Sequence, residues 1–176
     1  MVEDAEQRPK SSKRRLIAGI ILIVIVAVGV TAGLLYSRRD VSPVPQKIRD
    51  AVSFPVYYPD QKKLPAGYIL DLNSFSNTTK NGVTYWIIYD SSQRLVFSIQ
   101  PKPSSDELDT FNANYIPLRN ELETSVGKAE IGAYNNHGTT ESLVSLPTNG
   151  KTWIIITGPY NTDSKKLDQV LRAMKI

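Results

Sequence analysis

Residues 16–36 carry no charged side chain, and Thr31 and Tyr36 are their only polar ones. Thirteen of these 21 residues are Leu, Ile or Val. As a helix the run would be roughly 31 Å long, the thickness of a bilayer's hydrocarbon core. Its many β-branched residues would weaken a helix in water. In lipid they matter little, because the backbone finds no other hydrogen-bond partners. A cleaved export signal has a shorter apolar region, of about 7–15 residues, ending at a small-x-small site. The two such sites here, Ala27-Val28-Gly29 and Val30-Thr31-Ala32, are both followed by more apolar sequence. The pattern therefore predicts a retained membrane helix over 16–36, with the lipid bilayer as its first partner. Arg8, Lys10, Lys13, Arg14 and Arg15 precede it, against Arg38 and Arg39 with Asp40 behind it. That excess keeps residues 1–15 in the cytoplasm as a short tail and puts everything after the helix outside. Gly29 and Gly33 form a G-x-x-x-G step, a small face on which two copies would pack as a homodimer, though glycine is also simply common in membrane helices.

After the helix the pattern changes. Residues 37–51 read as a linker and a short helix, with Ser42 as its cap, Pro43 at its first position, and Val44, Ile48 and Val52 on one face. The stretch 53–68 is broken by Pro55, Pro59 and Pro65. Period-two alternation then marks strands: Tyr68, Leu70 and Leu72; "VTYWIIYD" after the Asn81-Gly82 turn; and Leu95, Phe97 and Ile99. "PSSDELDTFNANYIP" predicts a helix capped by Ser104 and Glu107, with Leu108, Phe111 and Tyr115 on one face and Pro117 as its stop. Further strands are expected at 122–126, 128–134, 140–146 and in "KTWIIITG". A final helix from Asp163 or Ser164 carries the stripe Leu167, Val170, Leu171, Met174. Residues 86–88 and 153–156 are apolar on both alternating faces, as central strands are. The expected fold of residues 52–176 is α+β: a largely antiparallel sheet of six or seven strands with helices packed on one face. No internal repeat stands out.

Charge changes this picture little. The formal net charge of +4 divides evenly between the tail and the part after the membrane helix, +2 each. The folded part has no basic run interleaved with aromatics, so no nucleic-acid partner is expected. The absence of cysteine excludes disulfides, thiol catalysis and thiolate metal sites, and suits an exported bacterial domain that does not rely on oxidative folding.

Candidate chemistry is sparse. His137 is the only histidine and sits in the loop-like "NNHGTT", which leaves it without the second ligand a His-based metal site needs. Ser125 to Lys128 spells S-x-x-K, but at a strand-ending glycine rather than at the start of a buried helix. Asp106, Glu107 and Asp109 are accounted for by the first turn of a helix, where the dipole favours negative charge. Asn77-Thr78-Thr79 is formally a glycosylation sequon. No catalytic residue, cofactor or metal is expected, and the domain reads as non-enzymatic. Tyr57, Tyr58, Tyr134 and Tyr160 are candidate ligand-contacting aromatics, against ordinary packing with the hydroxyls at the surface.

"FPVYYPDQKKLPAGY" near the start of the domain and "GKTWIIITGPYNTDSKKLDQVLRAMK" at its end resemble small extracytoplasmic bacterial domains of unknown function held by one membrane helix. Some of these lie C-terminal to the membrane helix of anti-sigma-type regulators. The resemblance covers roughly residues 54–176. It implies a structural likeness and no catalytic residues. The tail of about fifteen residues departs from such regulators, being too short for a folded cytoplasmic domain. The expectation is a single-pass, membrane-anchored envelope protein whose outer domain binds another envelope protein. The alternative is a domain for a small ligand or envelope glycan. A retained anchor predicts that the protein stays in the membrane fraction after alkaline extraction with its first residues intact by mass spectrometry. A soluble product starting after residue 29 or 32 would show cleavage instead.

Overall fold

A computed structural model describes Ser42–Ile176, apart from residues 79–80, 114–115 and 118–120 and the side chains of Asn112, Ile116, Pro117 and Asn136. The tail and the 16–36 segment, with Gly29 and Gly33, lie outside the described residues. Among the described residues no helix is long and apolar enough to cross a membrane. The elements run α1 (Gln46–Asp50), β1 (Tyr58–Pro59), a 3-10 turn (Gln61–Lys63), β2 (Ile69–Asn77), β3 (Val83–Asp90), β4 (Gln93–Pro101) and α2 (Ser105–Asn112). They continue with β5 (Ile116–Pro117), β6 (Leu122–Glu123), β7 (Lys128–Asn136), β8 (Thr139–Pro147), β9 (Thr152–Pro159), α3 (Ser164–Arg172) and β10 (Met174–Lys175). The main sheet has the order β2-β3-β4-β9-β8-β7-β5 and every pairing is antiparallel, while β6 pairs with β7. The fold is α+β, as expected.

Register assigns the two faces, since directly opposed residues point the same way. Tyr85, Phe97, Ile156, Val144 and Ile131 form one cross-strand row, and Val83, Ile99, Ile154 and Leu146 the next. All are buried, and this first face carries the core. Leu167, Val170 and Leu171 of α3 cover part of it, and Val44, Phe54, Val56, Tyr57 and Tyr58 of the lead-in segment cover the rest. Two hydrogen bonds fix that segment: Tyr85 Oη donates to the Tyr57 carbonyl at 3.0 Å, and Thr152 Oγ1 to the Pro55 carbonyl at 3.0 Å. β1 then pairs with β10, Tyr58 opposite Lys175.

The second helix does not join α3. Trp153 alternates with Ile154 and so points to the opposite face, where its Nε1 donates to Ser145 Oγ at 3.0 Å. Phe111 of α2 meets the Trp153 ring edge-on at 4.7 Å. The two helices therefore lie on opposite faces, contrary to the expectation of one covered face. The lead-in segment, bonded to Thr152 on the first face, already fills the ground beside β9 that α2 would need.

The order of elements nevertheless recurs within the domain. A β-β-β-α order occurs twice, β2-β3-β4-α2 and β7-β8-β9-α3, joined where β4 pairs with β9. First strands start at Ile69 and Lys128, third strands at Gln93 and Thr152, and helices at Ser105 and Ser164, each step 59 residues. Asp71 and Glu130, Phe75 and Tyr134, Leu95 and Ile154, Phe97 and Ile156, and Leu108 and Leu167 fall into register at that step. The second copy has a shorter first loop, a longer middle strand and a longer second turn. These differences cancel, so the step returns while the similarity between is blurred.

Local signals mostly place the elements well. Ser104 and Glu107 form the capping box, Oγ accepting from the Glu107 N–H and the carboxylate from the Ser104 N–H at 2.9 Å, which holds the Glu107 carboxyl below its ordinary pKa. Asp163 caps α3. Four details differ. α1 begins after Pro45, and Ser42 Oγ accepts only from the Val44 N–H. α2 ends at Asn112, and Pro117 lies in β5 rather than stopping the helix. Met174 is buried from β10 rather than from the helix stripe. β3 is next to the sheet edge, not central, and its Ile88 is exposed.

Gly127 tests the tight turn before β7. A Cβ there would stand 2.6 Å from the Pro147 carbonyl oxygen and 3.0 Å from Thr148 Cα, both backbone. Gly127→Ala should cost about 1–3 kcal/mol in urea unfolding, and wild-type stability would show that the turn relaxes freely. Tyr85 tests the lead-in contact. Burial raises its phenol well above 10.0, so the folded state keeps it neutral while the unfolded chain ionises it near pH 10. Its contribution is whole below that pH and declines as pH rises beyond it. Tyr85→Phe should lower stability at neutral pH by about 1–2 kcal/mol, through the unpaired Tyr57 carbonyl. It should also flatten the loss of stability above pH 10, and an unchanged alkaline slope would remove Tyr85 from that role.

Candidate interaction surface

With α2 sitting over Trp153, the rest of the second face lacks a helix among the described residues. Its rows follow from register: Asp71, Trp86, Val96, Thr157 and Leu143 in one, Thr84, Ser98, Ile155 and Ser145 in the next. Trp86 and Arg94 are diagonal neighbours across the β3–β4 hairpin, and the Arg94 guanidinium lies 3.8 Å from the Trp86 ring centroid. This contact holds a long cationic side chain flat on the sheet while leaving its N–H groups available for further bonds. Beside it, Ile69 and Ile88 face each other across β2 and β3 and are 60% and 38% exposed. A cross-strand isoleucine pair would normally face a core. Here it faces solvent, next to a half-buried Trp.

On the other side of Arg94 a shallow groove of ≈ 530 Å³ runs over the ends of β4, β9 and β8, lined among others by Arg94, Val96, Thr157, Glu141 and Tyr160. Tyr134, directly opposite Glu141 on β7 and β8, donates its hydroxyl to Glu141 Oε2 at 2.9 Å. Burial first, and that bond to a carboxylate second, push its phenol up to about 12. The groove thus offers a fixed carboxylate, a guanidinium, threonine hydroxyls and the exposed ring of Tyr160. These are groups for contact.

The four sequence-predicted tyrosines separate. Tyr134 and Tyr160 border or line the groove. Tyr57 and Tyr58 are buried in the first face, which leaves no ring surface for a ligand. His137 and Gly138, with φ of 49° and 89°, form the two-residue turn of the β7–β8 hairpin, so His137 is exposed at a loop tip. Lys128 pairs with Glu121 at the surface. No group of three metal-ligating side chains occurs among the described residues. Trp86 and Arg94 were not singled out by the sequence. The signal was present in the alternation, which places both on one face of a hairpin turned at Ser91-Ser92, but only the uncovered face gives it meaning.

The edge of the sheet at β2 is closed to strand addition at its start. Gln61 donates from Nε2 to the Tyr68 carbonyl at 3.1 Å and accepts from the Leu70 N–H at 2.8 Å, replacing a neighbouring strand. Further along, β2 bulges between Asp71 and Ser76, and Ser74 Oγ accepts the Trp86 N–H at 2.8 Å. Such devices protect an edge from pairing with another chain.

No protein-family model and no curated protein matches the chain. Among solved structures, a crystal structure from Bacteroides thetaiotaomicron VPI-5482 is similar over 64% of this chain and 42% of that one, with 9% sequence identity and a TM-score of 0.38. The chain thus spans less than half the length of that protein.

Proposed function

We propose that this chain is a single-pass membrane protein of the cell envelope whose Ser42–Ile176 domain is a non-enzymatic module that binds another envelope protein through its second sheet face. The observation that carries this reading is the Trp86–Arg94 stack beside the exposed Ile69–Ile88 pair. Aromatic and arginine side chains surrounded by apolar neighbours supply most of the binding energy at protein interfaces. An uncovered apolar patch on a sheet face is where a partner removes water at the least cost in side-chain order. The blocked start of β2 directs a partner to this face rather than to that edge. The apolar run at 16–36 and the charge before it support the location.

The groove beside Arg94 favours a second reading, a small polar ligand or a glycan lying on Tyr160 between Arg94 and Glu141. One experiment separates the two. A photo-reactive residue is placed at Ile88 in the full chain in cells, and a control probe at Lys165 on α3. The protein reading expects a discrete cross-link from Ile88, absent from Lys165, that falls at least tenfold in Arg94→Glu. Arg94 is exposed, so its loss should change stability by less than about 0.5 kcal/mol. Equal labelling from both positions, or none, would sink the reading. The ligand alternative is then tested by soluble glycan fragments protecting Tyr160 from iodination.

A further inference from the structure

We infer that the cavity between the lead-in segment, the end of β4 and the β8–β9 turn binds a small phosphate monoester. The inference stands apart from the partner-binding reading, because this cavity lies at the other end of β4 from Arg94. It has a volume of ≈ 410 Å³ and is lined, among others, by Ser53, Phe54, Lys102, Pro103, Gly150 and Lys151. That size is within the range of small-molecule sites. A buried group without a partner stands beside it. Tyr57 is 6% exposed, and while its carbonyl is bonded to Tyr85, its hydroxyl has no hydrogen-bond partner among the described residues. A Cβ on Gly150 would stand 3.9 Å from Tyr57 Oη and 3.8 Å from Thr148 Oγ1. Gly150 has no positive φ that would demand glycine. Its bare Cα keeps open the space in front of the hydroxyl. Buried polar groups are satisfied as a rule, so the acceptor that Tyr57 lacks comes from what fills the cavity.

The charges of the cavity select the ligand. Lys102 Nζ donates to the Thr148 carbonyl at 3.0 Å, which fixes the ammonium at the rim and leaves its other two N–H donors for a ligand. The Lys102 N–H donates to the Lys151 carbonyl at 2.8 Å, so the two lysines start from adjacent backbone. Neither ammonium pairs with a carboxylate among the described residues. The acidic groups nearest along the chain, Asp50, Asp106 and Glu107, lie outside the lining and accept from Gln46, Ser105 and Ser104. Two ammoniums with the hydroxyls of Ser53 and Tyr57 suit a group that is all acceptors and carries more than one negative charge. Lysine meets phosphate as a point charge, whereas a carboxylate is better matched by the fork of arginine. Phe54 and Pro103 make another part of the wall apolar. A bare phosphate would leave that part unfilled, so the phosphate carries a small organic group.

Phenyl phosphate is titrated into the full chain in detergent by calorimetry, beside inorganic phosphate and phenol. Phenyl phosphate should bind saturably, inorganic phosphate several-fold more weakly, and phenol not at all. Lys102→Met/Lys151→Met should weaken phenyl phosphate by about tenfold or more, as two charge-assisted bonds are lost. Tyr57→Phe should weaken it several-fold while the unfolding midpoint without ligand stays level or rises, because the hydroxyl it removes is unpaired. Arg94→Glu, at the far end of β4, should bind as wild type does. No saturable binding of phenyl phosphate by the wild-type chain overturns the inference, whatever becomes of the partner-binding face. Binding that survives the double lysine variant belongs to another place and overturns it equally. Inorganic phosphate binding as tightly as the ester overturns the ester class. A clear drop in the unfolding midpoint of ligand-free Tyr57→Phe shows a hydroxyl that is already satisfied and removes Tyr57 from the site.

Discussion

The lead-in segment governs this architecture. Two carbonyls, of Pro55 and Tyr57, are received by Thr152 and Tyr85 on the first sheet face, and the segment sends five apolar side chains into the core. Because the lead-in segment, with the short α1, takes that ground, only one of the two longer helices covers the face. α2 is displaced to the other side, where Phe111 and Trp153 hold it at one end of the sheet. α2 covers only that end, so the remainder of the second face, with Trp86 and Arg94 on it, stays without a helix among the described residues.

The two halves show the same logic at a larger scale. A meander and a helix repeat, yet equivalent helices end on opposite faces. Strand equivalences survive because alternation is dictated by the core: Leu95 and Ile154, or Phe97 and Ile156, must point the same way. A helix position is less constrained, since a connection of three or four residues lets it turn to either side. Packing against whatever is free then decides.

This explains what was legible in the residues. Alternation, the Asn81-Gly82 turn, the capping box at Ser104 and the apolar stripe of α3 located nearly every strand and helix, since each is a local constraint. Neighbour relations were less readable. Trp86-Ile87-Ile88 resembled a central strand, but its second face is apolar for an open surface rather than a buried one. Met174 matched the helical period and yet belongs to β10, because Ala173 ends the helix and the chain pairs with the lead-in segment. Of the four tyrosines, Tyr57 and Tyr58 were hidden by the segment that carries them, a tertiary fact that composition does not encode. The Trp86–Arg94 stack needed the hairpin register and the absence of α2 above it.

The pairing of β1 with β10 has a bearing on how the domain is made. Hairpins within each half join near neighbours and close quickly, whereas Tyr58 meets Lys175 only across almost the whole domain. A chain delivered from its N-terminus, from a ribosome or through a membrane, has both meanders available before its last residues arrive. Until then α3 and β10 are missing and the first face lies open with its apolar side chains exposed to other chains. The final dozen residues act as the closing stitch, and the interval before they emerge is when this domain most needs a chaperone's company.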